Sequence, residues 1–149
     1  MHAVSGEWAR SRGYTVIELL VALTVVSVLI GLAYPSYKQH VTTGRRADGT
    51  TALLDLANRM HRYYSDNNTF ATATIAAGVS ATDVLASATS PQGFYTLSIT
   101  SQSATAFALR ATRASVQTGD STCGDLTLTS ANVRGITGGA SGVTYSQCW

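Results

Sequence analysis

The sequence predicts an α+β chain in which one long N-terminal helix, membrane-spanning in its first half and amphipathic in its second, packs on a small antiparallel β-sheet head. Three observations carry that prediction. A run of 19 uncharged residues separates Glu18 from Lys38. An apolar stripe at helical spacing follows it, and segments alternating apolar residues with Thr or Ser fill much of the C-terminal half. A length of 149 residues suits one domain. Only 12% of the residues are charged, against about 25% in an ordinary soluble domain, and 37 are Ser or Thr. That is not the surface of a cytosolic enzyme. A net charge of +2 also argues against a protein whose main task is to grip nucleic-acid phosphates, which needs a clustered excess of Lys and Arg.

The uncharged run would rise roughly 28 Å as a helix, close to the 30 Å of a bilayer core. Arg10 and Arg12 precede it and supply the positive flank that stays in the cytoplasm, so the rest of the chain is expected outside, N-in and C-out. The run is longer than a secretory signal's apolar region. The residues after it, Tyr37 to His40, offer no small-residue cleavage site, so the segment is expected to be retained. Glu18 at its start is costly in a membrane, by about 3 kcal/mol on insertion scales, and calls for either a headgroup interface or a partner.

The run Arg12-Gly13-Tyr14-Thr15-Val16-Ile17-Glu18-Leu19-Leu20 resembles the N-terminal signature of type IV pilins and their relatives. The resemblance implies that a prepilin peptidase cuts between Gly13 and Tyr14 and then methylates the new amine of Tyr14. A leader of residues 1–13 is thereby removed. It also implies an assembly role for Glu18, which would neutralise the terminal amine of a neighbouring subunit as apolar helices bundle into a filament core. Tyr34-Pro35-Ser36-Tyr37 is similar to the family's segment at the outer end of the span, where Pro35, lacking a backbone donor, is expected to kink or loosen the helix. The first mature residue departs from the usual Phe, and Ser27 stands where a mid-span glycine is common, with Gly31 one turn later. On this division residues 14–37 form the transmembrane and assembly half, and residues 38–149 the exported head.

Beyond Lys38 the pattern turns amphipathic: Leu53, Leu56, Ala57, Met60, Tyr63 and Tyr64 recur at helical spacing, and Asp55 with Arg59 makes an i,i+4 pair. The stripe should bury against the head's own core. Arg45-Arg46-Ala47-Asp48 reads as a solvated helix face, and Gly44 and Gly49 as points where the helix is weakened. Ser65-Asp66-Asn67-Asn68 reads as the stop, and Thr69 to Gln92 as a long connecting loop with one short helix. Asn67-Asn68-Thr69 fits a glycosylation sequon, a weak pattern.

Strands are expected where Tyr95, Leu97 and Ile99, then Phe107, Leu109 and Ala111, then Leu126 and Leu128 alternate with polar residues, giving three or four short antiparallel strands. Cys123 and Cys148 match no CxxC spacing, so a single disulfide outside the cytoplasm is their most economical use. It would staple the Gly-rich Asn132–Tyr145 segment back on the sheet. A disulfide-bounded C-terminal segment, the Phe94-Tyr95-Thr96-Leu97 strand and the Cys148-Trp149 ending make the chain most similar to minor pilins of the PilE kind.

His2, His40 and His61 are scattered, and no HExxH, GxSxG, P-loop or GxGxxG occurs, so no catalytic constellation, metal or cofactor is expected. Asp120 and Asp125 flank Cys123 but are too few for a calcium site and read as turn and strand-entry residues. Tyr63 with Tyr64, and Arg110 with Arg113, are the only hints of a surface for DNA; a host surface draws no support. The resemblance implies other pilins, prepilin peptidase and the inner-membrane platform of a pilus machine as partners. A bacterial inner-membrane protein that moves to a surface pilus is therefore expected, serving motility, adhesion or DNA uptake. Two rivals stay open: a pseudopilin of type II secretion, and a bitopic membrane protein with a periplasmic binding head.

Overall fold

A computed structural model describes residues 13–149 of the chain, so the Arg10 and Arg12 flank lies outside the described residues. The long helix α1 runs from Val16 to Asn67. Thr15 caps it: its hydroxyl accepts the Glu18 N–H at 3.3 Å and its carbonyl accepts the Leu19 N–H. Thr15 and Glu18 therefore stand at the two key positions of a T-x-x-E capping box, with the carboxylate in the first turn, where the helix dipole favours negative charge. In the span, the Thr24 and Ser27 hydroxyls donate to the Val21 and Leu23 carbonyls at 2.8 Å, which satisfies both polar groups without a partner outside the helix. The stop falls where Asp66-Asn67-Asn68 places it, with Asn68 at φ 54° donating its N–H to the Tyr64 carbonyl.

The chain divides into two units, the residues up to Lys38 and the residues from Gln39 onward. In the first unit α1 continues through Pro35, and its large apolar side chains, from Tyr14 to Tyr37, are exposed.

The second unit is the head. Its four-stranded antiparallel sheet has the order β3-β4-β5-β6, with β3 Tyr95–Gln102, β4 Phe107–Arg113, β5 Asp125–Thr129 and β6 Arg134–Thr137. Alternation works as expected: Tyr95, Leu97, Phe107, Leu109, Ala111, Leu126 and Leu128 are buried on one face, against Leu53, Leu56, Ala57 and Met60 of α1. Tyr63 and Tyr64 pack at the edge of this core, and Phe70 stacks on Tyr64 and meets Phe107 edge-on. The fourth strand comes from the Gly-rich C-terminal segment, which pairs with β5 from Leu128↔Arg134 to Asp125↔Thr137.

Three local expectations are corrected. Thr69 to Gln92 contains no helix; it forms a minimal parallel pair, β1 Thr74–Ile75 and β2 Asp83–Leu85. The organiser is Asp83, whose carboxylate accepts the Thr74 hydroxyl at 2.6 Å and the N–H groups of Ala77, Gly78 and Val79. The Arg45-Arg46-Ala47-Asp48 run is not a solvated face, since Arg46 is largely buried and Asp48 fully so. And Gly49 is a packing requirement, not a weak point: a Cβ there would lie 2.8 Å from the buried Tyr95 ring.

The two glycines therefore respond oppositely to alanine. Gly49→Ala drives a methyl into a ring with no room to move and should cost about 1–3 kcal/mol net of the propensity gain. Gly44→Ala meets open space and should stabilise the head by up to about 1 kcal/mol. Denaturant titration of both variants measures this; equal responses would contradict the packing reading.

Candidate functional site

Two buried carboxylates tie α1 to the rest of the head. Asp48 accepts the Ser90 hydroxyl at 2.5 Å and the N–H groups of Gln92 and Phe94, which sets the entry to β3. Arg45 lies over the Phe94 ring at 5.0 Å. Two residues earlier, Arg46 forms a two-pronged pair with Asp120 at 2.7 and 2.9 Å. Gln117, from a 3₁₀ turn at Ser115–Gly119, joins them: its side-chain amide donates to Asp120, the Tyr95 hydroxyl and the Thr42 carbonyl. Burial pushes the Asp120 carboxyl up, but the Arg46 guanidinium and the Cys123 N–H outweigh it, leaving its pKa below the ordinary carboxylate value. Burial raises the Tyr95 phenol.

Asp125 is likewise spoken for. It accepts from the Arg113 backbone and Nε, while Arg113 also donates to the Asp120 carbonyl. Asp120 and Asp125 are thus partners of arginines at a turn and a strand entry. Cys123 and Cys148 form the expected disulfide, with Cα atoms 5.7 Å apart. It places the last 3₁₀ turn, Tyr145–Gln147, beside β6, where the Trp149 Nε1–H donates to the Gly135 carbonyl at 3.0 Å and the Arg134 guanidinium lies 5.4 Å from the indole centroid.

The sheet's other face is polar. Arg110 sits at its middle, opposite Ser98 of β3 on one side and Thr127 of β5 on the other. Thr127 in turn faces Gly135, so Arg110, Thr127 and Gly135 make one row across β4, β5 and β6, whereas Arg134, paired with the buried Leu128, belongs to the opposite face at the sheet edge. The Arg110 Nε is buried without a hydrogen-bond partner. Among the described residues, five of the six head aspartates (Asp48, Asp55, Asp83, Asp120 and Asp125) are engaged within the head, whereas Arg45, Arg62, Arg110 and Arg134 have no carboxylate partner. A head almost neutral by count therefore displays cations.

Residues 35–127 match the family described as "Type IV minor pilin ComP, DNA uptake sequence receptor", and residues 8–34 match the prokaryotic N-terminal methylation motif. The chain belongs to the type IV minor pilin family. A fimbrial protein, EcpC of Eikenella corrodens, is 27% identical over 71 residues, which span 48% of this chain and 46% of that protein. The chain thus matches about half the length of this relative. The Neisseria meningitidis non-core minor pilin PilV shares the fold, with a TM-score of 0.53 at 21% identity over 70% of this chain and 93% of that one.

For a minor pilin, the exposed apolar half of α1 is the membrane-anchoring and assembly element, and the family implies a structural protein. Gly13, Tyr14 and Glu18 lie together at its start and are all exposed. Of the residues flagged for DNA, Tyr63 is committed to the Thr72 hydroxyl, Tyr64 to Phe70 and Arg113 to Asp125, so none of these three offers a free surface. Arg110 does. Arg134 and Trp149 escaped the sequence reading because only β6 pairing and the disulfide bring them together.

Proposed function

We propose that this minor pilin is a DNA-binding subunit of a type IV pilus. Prepilin peptidase removes residues 1–13, Tyr14 becomes the methylated N-terminus, and the chain waits in the inner membrane, N-in and C-out, with residues 38–149 outside. Glu18 pairs with the terminal amine of a neighbouring pilin as the platform draws the helix from the bilayer into the filament, and the backbone loosens at Pro35. The head then presents its arginines to DNA. The observation that carries the DNA reading is the uneven use of charge: the aspartates are spent on internal contacts, leaving Arg110 in the middle of a neutral, hydroxyl-rich sheet face. The matching family, described as a DNA uptake sequence receptor, points the same way.

Duplex DNA binding by the detergent-solubilised chain tests this. Binding should weaken steeply with salt, and Arg110→Gln should lower the slope of log K against log salt by about 1. Retention of full affinity and slope in that variant would remove Arg110 from the interface. N-terminal peptide mass spectrometry of sheared filaments tests the processing: a chain beginning at methylated Tyr14 supports it, and an uncut Met1 excludes it.

A further inference from the structure

At the β6 edge of the sheet, a hollow of about 410 Å³ is lined by Asn132, Val133, Arg134 and Tyr145. It lies on the disulfide-bounded segment, beyond the residues matched to the ComP family. Asn132, Arg134 and Tyr145 bring an amide, a guanidinium and a phenol to its lining. Tyr145 is 52% and Val133 61% exposed, a large aromatic and a branched apolar side chain left facing solvent on a small head. Arg134 is held in place from behind by the Trp149 ring, and that ring by its bond to the Gly135 carbonyl. Asn132 is fixed by its turn, with φ 57° and its N–H on the Thr129 carbonyl.

Such a group of residues matches one ligand chemistry. An aromatic face beside a pre-oriented guanidinium suits a planar base linked to a phosphate, and the amide offers both a donor and an acceptor to a base edge. We propose that the hollow takes a single unpaired nucleotide of a DNA strand, its base against Tyr145 and Val133 and its phosphate on Arg134. This rests on the DNA reading above and adds to it a preference for DNA with an unpaired end. A base within a duplex is stacked on both sides and cannot lie on Tyr145 unless it leaves the helix.

Fluorescence anisotropy of the full-length, detergent-solubilised protein with two labelled probes decides it: a blunt duplex, and the same duplex with a four-nucleotide thymidine overhang. The overhang probe should bind about 10-fold tighter. Tyr145→Ala should abolish that preference while leaving blunt-duplex affinity within about 2-fold, Arg134→Gln should abolish the preference while weakening binding of both probes, and Tyr145→Phe should keep it. An unchanged thermal melt of each variant excludes a folding effect. Equal affinity of the wild type for the two probes, or a preference that survives Tyr145→Ala, would overturn the site and leave the DNA reading standing. Failure to bind either probe would overturn both.

Discussion

Asp120→Ala is expected to cost the head about 3–5 kcal/mol in denaturant unfolding, the largest loss from any single polar substitution in it. The carboxylate is enclosed, with a side-chain exposure of 1% against 11% for Arg46. Removing it strands the guanidinium and also takes the acceptor of the Gln117 amide and the Cys123 N–H. Gln117 already carries one buried oxygen without a partner, so the junction has no spare acceptor nearby. Arg46→Met with Asp120→Leu should recover the part of the loss that comes from the stranded charge, though not the part from the orphaned Gln117 and Cys123 donors. If the single variant unfolds within about 1 kcal/mol of the wild type, the pair is not a structural tie.

The same group sets an acid limit. The pKa of Asp120 is lowered in the folded head, so its contribution is complete above the ordinary carboxylate pKa of about 3.9 and is lost as pH falls through the lower folded value. Asp83 shifts the same way, first through the Thr74 hydroxyl and then through the three loop N–H groups. Stability should therefore be flat near neutrality and fall below about pH 4. The acid limb should flatten in Asp120→Asn.

Glu18→Ala should leave the head folded and the protein in the membrane fraction, yet reduce its recovery in sheared filaments by at least about 10-fold. In the assembly proposed above, an amine and a carboxylate are buried together, and removing one partner costs about 3–5 kcal/mol. The local role of Glu18 in the first turn of α1 is smaller, about 1 kcal/mol, since Thr15 supplies the helix cap through its own hydroxyl. Normal filament recovery would contradict the assembly role. Reduction of Cys123–Cys148 acts elsewhere: it opens a closure worth about 3–4 kcal/mol by chain entropy and should release Trp149 and Tyr145 before the sheet melts, visible as a rise in tryptophan exposure that precedes far-UV change.

Much of this molecule was legible in the order of residue types. The uncharged run, the stripe from Leu53 to Met60 and the alternation in Tyr95–Ile99, Phe107–Ala111 and Leu126–Leu128 each write a backbone period directly into the chain, and the periods of helix and strand are local properties. The Asp66-Asn67-Asn68 stop is equally local. What sequence could not determine is where a polar or small residue's partner lies. Arg46 and Asp120 are 74 residues apart in sequence yet paired in space, so the solvated face expected at Arg46 is wrong for a reason no local pattern carries, while Asp120 does stand at a turn. Gly49 was judged by helix propensity because the Tyr95 ring that needs its missing side chain stands in another element. Arg134, Tyr145 and Trp149 became neighbours only through β6 pairing and one disulfide. Periodicity thus determined the helix, the strands and the faces they bury, while long-range pairing of charges, rings and cysteines decided which residues close the head and which face outward.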